Sequence, residues 1–157
     1  MKAIQALLVA LVATIILTSV AAAGTEAATQ RVAINMKIYP QKTFVLSPLQ
    51  AGPLKPDSGT ISSTWLNVPG RDVIRDGQKV TIYNGAVTKL TGTRGTLTIR
   101  DRNEWVEVGN DDHIAFGTWK VVRGTGQYAG IVGKGRSGHA GLGSPWYARY
   151  EGLLSLP

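Results

Sequence analysis

The sequence contains no cysteine, and this absence limits both its chemistry and the ways in which it can be stabilised. A disulfide framework is excluded, as are a thiolate metal site and a cysteine nucleophile. A lipid-modified cysteine anchor is excluded for the same reason. At 157 residues the chain is still large enough to form one domain with a single hydrophobic core and no covalent cross-links.

Runs of like charge are also absent, although the formal net charge is +7. Most basic residues occur singly, where an alternating strand would point toward solvent, so we interpret them as solvated strand faces without specific nucleic-acid binding. Weak, salt-sensitive binding to anionic surfaces such as cell-wall polymers, anionic lipid or sulfated glycans follows from the net charge alone. The positions concerned are Arg71, Arg75, Lys79, Lys89, Arg94, Arg100, Arg102, Lys120, Arg123, Lys134, Arg136 and Arg149.

A long apolar run is found only at the N-terminus. Residues 1–23 have a single lysine, an apolar stretch and a final alanine triplet, which predicts a helical signal peptide cleaved before Gly24 and a secreted, extracytoplasmic protein. The alternative is an uncleaved anchor helix, because the apolar stretch is almost long enough to span a bilayer. Residues 24–30 are predicted to be a flexible tail, and residues 31–157 the folded domain, which has no membrane span.

After this leader the sequence shows no helical period and becomes rich in glycine. Each interior glycine costs an α-helix about 1 kcal/mol, so the glycine-rich residues 117–143 are predicted to form bent or coiled β-strands with bulges. Elsewhere apolar and polar residues alternate, as in Val32, Ile34 and Met36, and Asp76-Gly77 is typical of a hairpin turn. The pattern predicts an all-β fold, with a sandwich as the alternative to a single antiparallel barrel of about eight strands.

Two polar residues are predicted to lie on apolar strand faces. Strand parity points Asp101 into the barrel, where a carboxylate is costly unless it is paired, so it is a weak candidate for a catalytic acid in an interior pocket. Alternatively, Asp101 lies at a strand end, caps a turn or pairs with an arginine. We interpret Tyr150 as a core tyrosine with its hydroxyl at the rim. The tryptophans are interpreted as core residues first and as cavity lining second: Trp65, Trp105, Trp119 and Trp146.

The sequence offers little support for a cofactor or a metal. The stretch GTGQYA at residues 124–129 resembles a dinucleotide fingerprint, but the residues after it cannot form the required helix, so no cofactor is predicted. The two histidines, His113 and His139, are far apart in the sequence. Asp111, Asp112 and His113 could face a cation, but such a cluster at a hairpin tip is more typical of turn chemistry, so no metal site is predicted.

The segments GTWKVV and GTGQYAGIVGKG, together with the final WYARYEGLLSL, resemble allene oxide cyclase and dirigent barrels. Together, DSGTISSTW, GTRGTLTIR and GTWKVVRGTGQYAG resemble small secreted bacterial proteins of this barrel type whose function is unassigned. The resemblance spans residues 58–154 and implies an eight-stranded antiparallel barrel with an apolar cavity at one mouth. Plant relatives are often trimeric and steer cyclisation or coupling of a reactive hydrophobic intermediate without a cofactor. Their cavity acids and bases do not align here, so no catalytic residue is transferred.

Three hypotheses follow. The first is a secreted, cofactor-free barrel that binds a small apolar ligand, with Trp65, Asp101 and Tyr150 as candidate ligand-binding residues. The second is a cyclase or isomerase of the allene oxide cyclase and dirigent type acting on a hydrophobic substrate. The third is a surface module for anionic polymers, and self-association into a homo-oligomer is compatible with all three. A barrel filled with side chains would contradict both pocket hypotheses.

Overall fold

The computed structural model describes residues 28–66, 70–83, 85–109, 112–141 and 144–157. The predicted signal peptide, residues 24–27 of the predicted tail, and residues 84, 110 and 111 of the predicted turns lie outside these ranges. Within the ranges, no helix has the length and apolarity needed to cross a membrane. A single 3-10 turn at Gly126–Tyr128 is the helical element of the described chain.

Ten strands make up the described part of the domain, and all their pairings are antiparallel. In chain order they are β1 (Thr29–Tyr39), β2 (Thr43–Pro48), β3 (Asp57–Trp65), β4 (Arg71–Arg75), β5 (Gln78–Tyr83), β6 (Ala86–Gly92), β7 (Gly95–Gly109), β8 (Asp112–Gly124), β9 (Val132–Gly141) and β10 (Trp146–Ser155).

Eight of these strands close into a barrel. Around the ring the order is β7, β6, β3, β2, β1, β10, β9 and β8, and pairing of β8 with β7 completes the closure. The predicted all-β fold with an eight-stranded antiparallel barrel is therefore confirmed. The glycine-rich residues do form a strand, β9, between the 3-10 turn and β10.

A hairpin outside the ring extends one side of the barrel. β4 and β5 pair around the predicted turn at Asp76 and Gly77, and β5 then pairs with the second half of β7, where Thr81 faces Trp105. The sequence of residues 69–78 predicts a turn-rich connection that closes at Asp76-Gly77. It does not predict β4, because most of this strand is exposed and lacks an alternating pattern. The sequence also predicts a bulge or a second tight turn at Asn84-Gly85 within residues 79–90, and in the structure β5 ends at Tyr83 and β6 begins at Ala86.

Side chains fill most of the barrel interior. Inward-facing positions alternate with outward-facing ones along the strands of the ring, and the inward set is mainly apolar, as in other small barrels. The buried core consists of Val32, Ile34, Met36, Phe44, Leu46, Leu54, Ile61, Leu90, Leu97, Ile99, Trp119, Tyr128, Ile131, Ala148, Tyr150 and Leu154. A ligand site in the middle of the barrel is therefore not supported.

One end of the barrel is closed by the loop between β2 and β3. The side chain of Gln30 is buried there: its Nε2 donates to the carbonyl of Gln50 at 2.9 Å, and its Oε1 accepts the N–H of Leu54 at 2.9 Å. These bonds satisfy the buried amide and hold the loop over the core. β1 begins at Thr29, which pairs with Ser155 of β10, two residues earlier than the alternation indicates.

Asp57 anchors the same closed end, and sequence reasoning missed it. Its carboxylate accepts the N–H of Thr93 at 3.0 Å, the Thr93 hydroxyl at 2.9 Å and the Tyr128 hydroxyl at 3.0 Å. Burial acts to raise the pKa of Asp57, but these hydrogen bonds to the charged form outweigh it and lower the pKa. The carboxylate thus ties β3 to the β6–β7 turn and to the 3-10 turn.

Candidate functional site

The opposite end of the barrel is a mouth lined by aromatic rings. β7 ends there, while β8 and β10 begin there, so Trp105, His113 and Trp146 lie together. The ring centroids of Trp105 and His113 are 4.2 Å apart, and those of His113 and Trp146 are 4.8 Å apart. Trp65 continues the cluster at 5.9 Å from Trp105, and Tyr39 at 6.5 Å from Trp146. The result is a continuous aromatic surface at one end of the barrel.

The β4–β5 hairpin adds a wall to this surface and creates a pocket of about 480 Å³. Trp105, His113 and Trp146 line the pocket, together with Lys79 and Glu107. This volume lies within the range of small-molecule sites, which typically combine aromatic lining with a few polar groups. We refer to this space as the mouth pocket.

Asp101 points into the barrel, two inward-facing positions before Trp105 on β7, as strand parity predicts. Its Oδ1 accepts the N–H of Ala86 at 2.6 Å, and its Oδ2 accepts the hydroxyl hydrogen of Tyr150. Gly85 makes room for the carboxylate, since it has a φ of +69° and an added Cβ would lie 2.2 Å from Oδ1. The alternative of an arginine partner is wrong, because a backbone amide and a phenol hold Asp101.

Tyr150 and His139 complete a buried network around Asp101. Tyr150 is 1% exposed, so the prediction that its hydroxyl reaches the rim is wrong: the hydroxyl turns inward to a buried acceptor. The Nε2 atom of His139 lies 3.3 Å from the Tyr150 hydroxyl oxygen and 3.9 Å from Oδ2 of Asp101. The three side chains therefore form one contiguous polar cluster, which we call the acid–phenol–imidazole network.

Burial determines the protonation of two members of this network. Burial raises the pKa of Tyr150 well above its ordinary value, and the charge and hydrogen bond of Asp101 raise it further. Burial lowers the pKa of His139; the Asp101 charge opposes this shift, while the nearby His113 adds to it. At neutral pH a neutral phenol and a neutral imidazole therefore flank the carboxylate. Such a set can hold a proton or bind the polar end of a ligand.

A second buried polar pair lies beside the network. The hydroxyl of Ser137 donates to Oδ1 of Asn103 at 3.1 Å. Asn103 is fully buried, and its Nδ2 has no hydrogen-bond partner among the described residues. A buried donor without an acceptor costs about 1–3 kcal/mol, so this amide group lowers the stability of the barrel locally.

The structure separates the three residues that the sequence grouped as ligand-binding. Asp101 and Tyr150 contact each other in the interior, whereas Trp65 lies at the mouth against Trp105. Trp65 is 49% exposed, so its interpretation as a core residue is wrong. It is the last residue of β3, and its side chain lies beyond the packed interior. Trp119, in contrast, is a core residue as predicted.

Sequence reasoning considered His113 and His139 as metal ligands, and His139 also beside Ser137 as part of a hydrolytic triad, and so missed their positions in the site. Strand parity applied to β8 and β9 would have placed both on inward faces, His113 with Ala115 and His139 with Ser137. In the described residues no group of three or more histidines and carboxylates is arranged to hold a metal ion. Asp111 of the candidate cluster lies outside those residues, and His113 is packed between two tryptophan rings.

Comparisons with protein-family models, with curated proteins and with solved structures find no match for this chain. The structure itself defines a class of fold: a closed eight-stranded antiparallel barrel with an aromatic mouth above a buried polar network. The resemblance to allene oxide cyclase and dirigent barrels stays a prediction.

Proposed function

We propose that this protein is a cofactor-free barrel that binds a small, largely apolar ligand at its mouth. The observation that carries the proposal is the mouth pocket of about 480 Å³ lined by Trp105, His113 and Trp146. Aromatic rings offer a large apolar contact area with few rotatable bonds, so little side-chain entropy is lost on binding. Lys79 and Glu107 supply charged groups at the edge of the pocket that could orient a polar end of the ligand.

The ligand is proposed to sit at the mouth because the packed core fills the interior. Of the predicted ligand-binding residues, Trp65 belongs to the aromatic surface itself. Asp101 and Tyr150 lie in the interior, where Tyr150 contacts His139, and none of these three residues lines the mouth pocket. Their proposed role is to hold the inner end of the barrel wall in place rather than to contact the ligand.

A second candidate function is a cofactor-independent cyclase or isomerase, and the acid–phenol–imidazole network supports it. A carboxylate, a phenol and an imidazole in mutual contact are suited to proton transfer. Against it, both carboxylate oxygens of Asp101 already accept hydrogen bonds, and the side chains of Asp101 and His139 are only 3% and 7% exposed. We therefore rank binding ahead of catalysis. A hydrophobic substrate that the wild type converts, and that Asp101→Asn binds without converting, would reverse this ranking.

The binding proposal can be tested with the neutral fluorescent probe N-phenyl-1-naphthylamine, whose emission rises in apolar surroundings. We expect saturable binding, unchanged by salt, with energy transfer from tryptophan. Trp146→Ala should weaken binding about tenfold or more, because it removes a large aromatic contact. Phe116→Ala is the matched control, since Phe116 is 59% exposed and lines an apolar groove of about 560 Å³ on the outer wall. Loss of binding in the Phe116 variant alone would place the probe on that wall and contradict the proposal.

Export and self-association are further parts of the proposal. The pattern of residues 1–23 supports secretion, and determining the N-terminal residue of the protein recovered outside the cell would test cleavage before Gly24. The resemblance to barrels that form trimers supports a homo-oligomer, which light scattering during size-exclusion chromatography would test.

A further inference from the structure

Five basic residues that are well separated in the sequence come together on the outer wall of the barrel. Strand register places Arg100, Lys120 and Lys134 in one row across β7, β8 and β9. The next row contains Arg102 and Arg136 on either side of a threonine. Neighbouring strands are about 4.8 Å apart, so a row of three spans about 10 Å. These five residues, which we call the basic belt, line a groove of about 720 Å³.

The positive charge of the basic belt is largely uncompensated. All five side chains are exposed, and none forms an ion pair within the described residues. These rows also contain a carboxylate, that of Glu151 on β10, which pairs with Arg136 on β9. Glu151 already accepts a hydrogen bond from Arg149 at 2.7 Å and pairs with Arg31 at 3.5 Å. The five cations therefore outnumber this carboxylate, which is already paired with other arginines. Such an excess of positive charge favours an anionic partner.

An apolar edge borders the basic belt on the same wall. Val122, Val132 and Leu153 point outward and are 53%, 65% and 50% exposed. Leu153 faces Lys134 across the β9–β10 ladder, and Val132 and Val122 lie two residues from Lys134 and Lys120 on their strands. Adjacent exposed aliphatic side chains on a soluble surface indicate an interaction site.

The combination distinguishes between kinds of anionic partner. Single-stranded nucleic acid sites interleave cations with exposed, stacking aromatic rings. The aromatic residue that lines this groove, Trp119, is 2% exposed, so its ring is not available to stack on a base. A hydrophilic polymer such as a sulfated glycan would use the cations but leave the aliphatic side chains exposed. An anionic bilayer uses both, because phosphates pair with Lys and Arg while aliphatic side chains enter the interface between headgroups and acyl chains.

We propose that the wall formed by the basic belt and the apolar edge docks onto the surface of a bilayer containing anionic phospholipid. This surface is distinct from the mouth pocket, so it does not depend on the ligand-binding proposal. Each Lys or Arg near an anionic bilayer strengthens binding by about fivefold, and the attraction decays within a Debye length. Docking is therefore expected to be reversible and to weaken at raised salt.

The test is sedimentation of the full chain with sucrose-loaded vesicles of phosphatidylcholine alone or of phosphatidylcholine and phosphatidylglycerol at about 3:1. The wild type should partition at least about tenfold more strongly onto the anionic vesicles at low salt. Lys134→Gln/Arg136→Gln should lower this partitioning about 25-fold, at fivefold per charge. Arg100→Gln/Lys120→Gln should do the same, which guards against a local folding defect in either variant. Residues 1–23 are the same in every variant, so differences between variants report on the substituted wall.

Two further variants separate the proposal from its competitors. Lys55→Gln/Lys89→Gln removes the same net charge from exposed positions off the belt and should lower partitioning less than about threefold. Val132→Ser/Leu153→Ser should lower it at least about fivefold without any charge change. Equal binding to both vesicle types, or an equal loss in the Lys55/Lys89 variant, would overturn the proposal. The proposal would also be overturned if the Val132/Leu153 variant partitioned as the wild type does and the wild type bound dextran sulfate tightly. The partner would then be a soluble polyanion.

Discussion

The hydroxyl of Tyr150 on β10 donates a hydrogen bond to the carboxylate of Asp101 on β7, although β8 and β9 separate the two strands in the ring. The bond therefore connects distant parts of the wall through the interior instead of reinforcing a ladder. Both side chains are almost completely buried, at 1% and 4% exposure. A carboxylate is stable in such a place because each of its oxygens has a donor.

Removal of the Tyr150 hydroxyl should therefore destabilise the barrel. Tyr150→Phe keeps the ring in the core but leaves one oxygen of Asp101 without its donor, and we expect a loss of about 1–3 kcal/mol in the free energy of unfolding at pH 7. Urea unfolding followed by tryptophan fluorescence measures this. Tyr147→Phe is the matched control: Tyr147 is on the outer face and 47% exposed, so its loss should stay below about 0.5 kcal/mol. An equal loss of unfolding free energy in both variants would mean that the buried hydrogen bond between Tyr150 and Asp101 does not stabilise the barrel.

The lowered pKa of His139 predicts a pH dependence of stability. Folded His139 stays neutral where the unfolded chain, with an ordinary pKa of about 6.5, takes up a proton. Stability should therefore fall as the pH drops through about 6.5, with a slope of at most about 1.4 kcal/mol per pH unit, until the folded pKa is reached. His139→Gln should flatten this part of the curve. Imidazole NMR signals give the folded pKa directly, and a midpoint at or above 6.5 would contradict the prediction.

The inward faces of the barrel were predictable from the sequence, but the contacts between them were not. Counting along one strand is enough to place Asp101 and Tyr150 inside, since side chains alternate with a period of two. The two side chains meet only because β7 and β10 lie three positions apart in the closed ring. The alternation of residues along one strand does not indicate the order of the strands. His139 was missed because it was considered for metal binding and for a triad with Ser137, and not by strand parity, which alone would have placed it on the same interior face.

The basic belt shows the same limit on the outer surface. Arg100, Lys120 and Lys134 are separated by at least 14 positions in the chain, so each looks like an isolated solvated charge. Register alone brings them into one row. Glycine density did predict the strand geometry that allows this: a Cβ on Gly135 would lie only 1.9 Å from the carbonyl oxygen of Glu151 on β10. A pattern of glycines thus indicates how closely strands approach, but not which side chains meet.

Asp57 was missed because it follows a proline-rich loop and resembles a turn residue, yet its lowered pKa makes it testable. Its folded pKa lies below the unfolded value of about 3.9, so its contribution to stability is complete above that pH and is lost as the pH falls through the folded value. Asp57→Asn should therefore cost roughly 2–3 kcal/mol at pH 7, because the amide presents a donor to groups that are themselves donors.

The difference in unfolding free energy between wild type and Asp57→Asn should narrow as the pH falls below about 4, because the Asp57 carboxylate of the unfolded wild type then takes up a proton before the folded one does. Urea unfolding of both proteins between pH 7 and pH 3 measures this difference. The titration of His139 affects both proteins equally, so it does not contribute to the difference. Asp76→Asn is the control, since Asp76 is exposed in the β4–β5 turn at a φ of +50°, a conformation that asparagine also tolerates. A difference for Asp57→Asn that stays constant with pH would show that it comes from packing and not from the charge that ties the closed end of the barrel together.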